Sequence, residues 1–210
     1  MKLLKQDILV FIAVILLWSC GSFNSYSYRK EINKFRVEYK KDFLKEERSP
    51  LKQKDLKYLD FFPVDTNFRT RASYELFNSP DTLDFKTSSG KIKQFTPYAV
   101  LFFDIKSIPC SLYVYNSLQL SGDAKYINYL FLPFTDITNG NETYGGGRYL
   151  DLDKRDFNFG SIILDFNKAY NPWCAFGEGF NCPIPPRENE LNLEIRAGEK
   201  KFRRLKPGPY

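Results

Sequence analysis

Apolar and polar positions change rhythm three times along this chain. Ile8 through Leu17 is an unbroken apolar run of ten residues. A helix needs about 20 residues to cross a bilayer, so this run is too short to span one. With Lys2 and Lys5 ahead of it, it fits the apolar centre of a secretion signal. Over residues 28–47 the period becomes three to four: Ile32, Phe35, Tyr39 and Phe43 recur with Lys and Glu between them, which predicts an amphipathic helix. Its stripe is expected to pack on the body of the protein. Ser49-Pro50 stops that helix and suits the start of a second short one reaching Leu59, because Ser caps and Pro fits a first helical turn.

From about residue 60 the period shortens to two. Phe68 to Leu76 approximates the alternation of a half-buried strand, and further strands are predicted at 82–87, 92–105, 109–116, 126–134, 148–152, 160–166 and 191–197. Most are separated by Gly, Pro, Asn, Asp or Ser. Short strands joined by turns favour a mostly β fold, an antiparallel β-barrel or sandwich with an N-terminal amphipathic helix, α+β overall. The 34 Phe and Tyr residues suit strand packing. The expected organisation is a signal peptide at 1–19, a tether at 20–28, a helical segment at 29–59 and a β-rich domain at 60–210.

The signal run ends in Leu17-Trp18-Ser19-Cys20-Gly21. A small residue before a cysteine, with Leu three positions before it, is the lipoprotein-processing pattern, in which Cys20 is acylated; Trp18 is atypical there. The alternatives are an ordinary cleaved signal or a short anchor helix. Two or more acyl chains hold a protein stably on a membrane, at about 0.8 kcal/mol per buried methylene. The lipid membrane, reached through Cys20, is therefore one expected partner. No acidic run follows Cys20, so a periplasm-facing, envelope-anchored protein is expected. Later apolar stretches, such as Ala99 to Phe103, are only strand-length.

The net charge is +6, and removal of residues 1–19 takes away Lys2, Lys5 and Asp7 to leave +5. Acidic and basic residues are interspersed, and nucleic acid is not an expected partner of an exported protein. The chain has no histidine. That excludes Ser-His-Asp and Cys-His catalysis and His-ligated zinc. Any chemistry falls to carboxylates, Arg, Lys, Tyr, Ser, Thr or Cys, and no cofactor or metal is expected.

Two segments stand out. The first contains Phe134-Thr135-Asp136 and Glu142-Thr143-Tyr144-Gly145-Gly146-Gly147-Arg148-Tyr149. The second runs Asp165-Phe166-Asn167-Lys168-Ala169-Tyr170-Asn171-Pro172 and continues to Cys182-Pro183-Ile184-Pro185-Pro186 and Asn189. Together with Ser49-Pro50-Leu51, Leu59-Asp60-Phe61-Phe62-Pro63 and Arg196-Ala197-Gly198-Glu199-Lys200, these residues resemble the domain-of-unknown-function family 1684 over nearly the whole mature domain. The resemblance implies no established activity.

The residues themselves leave alternatives open. Gly145, Gly146 and Gly147 make either a tight turn or a cradle of backbone N–H groups for an anion, with Arg148 as a bidentate clamp. No Gly-Lys-Ser/Thr follows, so a P-loop is excluded. Asp165 and Asn167, two apart after the apolar Ile162-Ile163-Leu164, face one side. They either cap a turn or present oxygens to a sugar, a cation or a reacting group. Asp165 near Glu142 or Asp136 would allow acid and base roles to be divided, as in sugar hydrolysis. The candidate ligand or catalytic residues are thus Asp136, Glu142, Thr143, Tyr144, Arg148, Asp165, Asn167, Tyr170 and Asn171. The first expectation is binding of a small polar or anionic ligand through loops 136–149 and 165–189. The alternatives are a carboxylate-based hydrolase and an envelope structural protein.

Cys174 and Cys182 lie eight positions apart in a Pro- and Gly-bearing loop. An oxidising compartment favours a disulfide, which would stabilise the fold by about 2.5 kcal/mol on the chain-entropy estimate. Zinc fits less well, because the spacing is too wide for a zinc hairpin. Cys110 is expected to be a buried free thiol.

Overall fold

The computed structural model describes residues 25–203. The expected signal peptide, Cys20 and the first half of the expected tether lie outside them. The chain divides into two compact units, residues 1–39 and 40–210. Helix α1 covers residues 25–45. It takes in 25–28, expected as tether, because Tyr28 extends the apolar stripe by one turn; Tyr28, Ile32 and Phe43 are buried. No helix among the described residues is long and apolar enough to cross a membrane.

The second unit is built on one antiparallel sheet curled into a half-barrel. Its strands are β1 (Arg69–Leu76), β2 (Leu83–Lys86), β3 (Ile92–Ile105), β4 (Ile108–Ser117), β5 (Tyr129–Asp136), β6 (Arg148–Asp153), β7 (Ser161–Asp165) and β8 (Glu190–Leu191). They run in the order β6-β5-β4-β3-β1-β7, with β2 on the outer part of β3 and the two-residue β8 parallel to β5. The predicted helix at Ser49–Leu59 is a 3-10 turn, Gln53–Tyr58.

Alternation sorts the sheet into two packed faces. Leu112 and Val114 of β4, Leu130, Leu132 and Phe134 of β5, and Leu150 of β6 share the main core with Leu101, Phe103 and Leu164. On the opposite face, Tyr115, Phe131 and Tyr149 join Phe85 and Phe95 in an aromatic layer. β3 serves both faces because its register shifts between Pro97 and Ala99. Pro has no N–H for the ladder, so a bulge is where a mid-strand Pro is tolerated.

β4 and β5 are joined by one register pair, Tyr115 with Phe131. Below it Pro133 again lacks an N–H, and the side chain of Asn189 fills the gap. It accepts from Tyr113 N (2.7 Å) and donates to Tyr113 O (2.8 Å) and Pro133 O (2.6 Å). An amide side chain carries the same donor and acceptor as a peptide group, so it substitutes for the missing strand neighbour.

The strand expected at 191–197 is only Glu190–Leu191. Residues 192–197 form no strand: Ile137 N donates to the carbonyl of Leu193, and a side chain takes those of Ile195 and Ala197.

Candidate ligand-binding site

That side chain is Arg148. It opens β6 on the core face and is 0 % exposed. Nη2 donates to Asp136 Oδ2 (2.8 Å) and Ile195 O (2.7 Å), and Nη1 donates to Ala197 O (2.5 Å) and Glu199 O (3.4 Å). The guanidinium also lies 5.3 Å from the centre of the Phe134 ring. Burial pulls its pKa down, opposed by the charges of Asp136 and Glu199. Its two terminal nitrogens are taken by Asp136 and three of the protein's own carbonyls, while the buried Nε has no hydrogen-bond partner among the described residues.

Asp136 completes the arrangement. Its Oδ1 accepts from Thr138 N (2.9 Å), Thr138 Oγ1 (2.6 Å) and Ile195 N (3.2 Å). Thr138 and Thr143 hydroxyls meet at 2.8 Å, and Asn139 Nδ2 donates to Thr143 Oγ1 and Tyr144 O (both 2.9 Å). Loop 136–147 is therefore a closed, internally bonded turn. Gly147 ends it at φ +84°, and a Cβ there would lie 2.7 Å from Phe134 O and 2.6 Å from Pro185. The close approach demands glycine.

In the second loop, Asp165 Oδ1 accepts from Asn167 N (3.0 Å) at a 3-10 turn. Asn167 then pairs with the backbone of Asp65, accepting from its N (3.0 Å) and donating to its O (2.8 Å). Tyr170 OH and Tyr129 OH both donate to Asp151 Oδ1, at 2.7 and 2.9 Å. Asn171 N donates to Glu199 Oε2, and its Nδ2 to Lys200 O, both at 2.8 Å. The three carboxylates considered for acid–base work thus stand in separate arrangements: Asp136 on Arg148, Asp165 on Asn167, and Glu142 on Arg196 (2.9 Å).

The two loops nevertheless meet one surface. Glu142 O accepts from Lys201 N (2.8 Å), while Asn171 holds Lys200 from beneath. Between them opens a recess of about 470 Å³, lined by Lys57, Tyr58, Asp60, Glu142, Lys200, Lys201 and Arg203. Both of its carboxylates are matched, Asp60 by Lys200 (2.9 Å) and Glu142 by Arg196. The other cations touch neutral groups: Lys57 the Tyr58 ring, Lys201 the carbonyl of Gly140 (2.9 Å), Arg203 the carbonyl of Asn141 (3.4 Å). Of the candidate ligand or catalytic residues, only Glu142 lines this recess; Asp60 and Lys200 stand in the quoted family motifs. Lys57 carries no sequence signal; Lys201 and Arg203 belong to the basic run Lys200-Lys201-Phe202-Arg203-Arg204, a charge pattern visible in the sequence but outside those candidates.

Cys174 and Cys182 are bridged. Cys110 is free and half-buried, and burial pushes its thiol pKa up. No group of three His, Cys, Asp or Glu side chains among the described residues is placed to hold a metal ion.

The family model "Protein of unknown function (DUF1684)" matches residues 54–200. The chain belongs to the DUF1684 family. Among solved structures, this DUF1684 member is similar to the solution NMR structure of an uncharacterized protein of Haloarcula marismortui, with 31% identity and a TM-score of 0.65, covering 84% of this chain and 96% of the other. No curated protein matches it.

Proposed function

We propose that this DUF1684 protein is a lipid-anchored, periplasm-facing binding protein that holds a small anionic ligand in the Lys57–Arg203 recess. The carrying observation is that Lys57, Lys201 and Arg203 line one recess while its two carboxylates are already matched. A recess of this size falls in the range used for small molecules, and cations facing only neutral groups favour a carboxylate or phosphate. The family motifs support the reading as framing rather than contact. Arg148, Asp136 and Asn171 fix segment 195–200, and that segment carries the recess cations to their places.

Isothermal titration of the full chain in detergent with inorganic phosphate and with citrate tests this. Binding of either is expected, weakening with added salt. The double variant Lys201→Ala/Arg203→Ala should lose it without a change in melting temperature. Equal binding by the double variant would refute the assignment, as would no heat with either anion.

A further inference from the structure

A second recess lies at the disulfide, and its construction points to a different ligand. The turn between β2 and β3 grips the loop that the bridge closes. Ser88 N donates to Cys182 O (2.9 Å) and Ser88 Oγ to Phe180 O (3.2 Å); that hydroxyl also lies 3.0 Å from Cys174 Sγ. Ser89 Oγ donates to Asn181 Oδ1, and Thr87 pairs with Pro183. The bridge joins Cys174, just after Trp173, to Cys182, just after Phe180 and Asn181. Backbone and bridge together set Trp173 and Phe180 edge to face at 5.3 Å. The two rings and Asn181 form one side of a recess of about 430 Å³; Glu46, Glu47, Arg48 and Lys93 complete it.

The charges discriminate between ligand classes. Two carboxylates oppose two cations, so the recess is balanced, unlike the basic one. A multivalent anion would meet Glu46 and Glu47; a cation would meet Arg48 and Lys93. A wholly apolar ligand would strip water from four charged groups without replacing their hydrogen bonds. A neutral molecule with one flat apolar face and several hydroxyls satisfies all of them. Each hydroxyl both donates and accepts, so it serves carboxylate and guanidinium alike. The half-buried Lys93, whose pKa burial lowers, adds a further donor to the recess. Asn181 Oδ1 accepts from Ser89, which leaves Nδ2 as the donor of that amide.

We propose that this recess is a carbohydrate site, in which the Trp173 indole stacks on the apolar face of a neutral pyranose while Asn181, Arg48, Glu47 and Lys93 read its hydroxyls. The site is independent of the anionic ligand and of the membrane anchor.

The chain has two tryptophans, Trp18 and Trp173, so Trp173 is the sole indole once residues 1–19 are removed, and Trp18→Phe makes it so in the full chain. Titration with glucose, galactose, N-acetylglucosamine and maltose is expected to give a saturable change in indole emission with at least one sugar. Inorganic phosphate is expected to give none. Trp173→Ala risks the fold beside the bridge, so the surface variants Arg48→Ala and Glu47→Gln carry the test. Each should weaken sugar binding about ten-fold, the worth of one hydrogen bond to a charged group, with unchanged melting. Reduction of Cys174–Cys182 should abolish the response by releasing the two rings. The proposal is overturned if no neutral sugar changes the emission, if only phosphate does, or if the Arg48→Ala/Glu47→Gln double variant binds sugar like its parent.

Discussion

Arg148 shows what a single side chain decides in this fold. A fully buried guanidinium is costly to desolvate, and only good geometry with filled hydrogen bonds repays that cost. Here one carboxylate and three carbonyls surround its two terminal nitrogens. Replacing Arg148 with Met would leave Asp136 charged and buried, and would strip Ile195 O and Ala197 O of their donor. The expected loss is about 3–5 kcal/mol in urea denaturation, the range for a buried pair broken on one side. Arg148→Lys should recover little of it, because an ammonium cannot span a planar fork. A variant within 1 kcal/mol of wild type, the scale of a surface ion pair, would show that the arrangement is not structural. The sequence marked Arg148 and Asp136 as special but not which way they point. Parity held a clue: Arg148 shares its face with Leu150 and Leu152, the core face of β6.

At the scale of elements, the β-rich class and most strands were legible because alternation records which face is buried. The 92–105 strand coincides with β3, while 191–197 does not form, since its apolar residues are fixed by Arg148 and the core instead of a neighbouring strand. The aromatic layer was not legible either: a strand buried on both faces loses alternation and gives no sign of which ring goes where. That layer makes a pH prediction. Burial raises the phenol pKa values of Tyr115, Tyr149 and Tyr129 above their ordinary value of 10.0. In the unfolded chain these phenols lose their protons near pH 10, whereas in the folded chain they keep them. The unfolded state then binds fewer protons, so stability is intact below pH 10 and falls as pH rises beyond it. Ultraviolet titration should show exposed phenols ionising first and these three ionising only as circular dichroism reports unfolding. Tyr115→Phe should make the alkaline loss of stability shallower. Reversible ionisation of every phenol in the folded state would contradict the layer.

For the whole molecule, the proposed function requires a lipid anchor on Cys20. The residues that decide it, Ile8–Leu17 and Cys20, precede the described part, and no helix within 25–203 is long and apolar enough to cross a membrane. The charge of +5 left by removal of residues 1–19, including the basic run 200–206, would give only salt-sensitive adhesion to anionic lipid. Acyl chains would instead give attachment that salt does not disturb and detergent does. Wild-type protein should therefore sediment with membranes at high salt and enter solution with detergent, and its mass should correspond to Cys20–Tyr210 plus fatty acyl groups. Cys20→Ala removes the only acceptor at the processing point. It should retain residues 1–19 or be released into the periplasm, in either case without acyl mass. If the wild-type chain carries an intact leader and no lipid, or leaves the membrane with salt alone, the anchor is absent. The oxidising setting assumed for Cys174 and Cys182 would then need another source, because the proposed export would supply both anchor and setting.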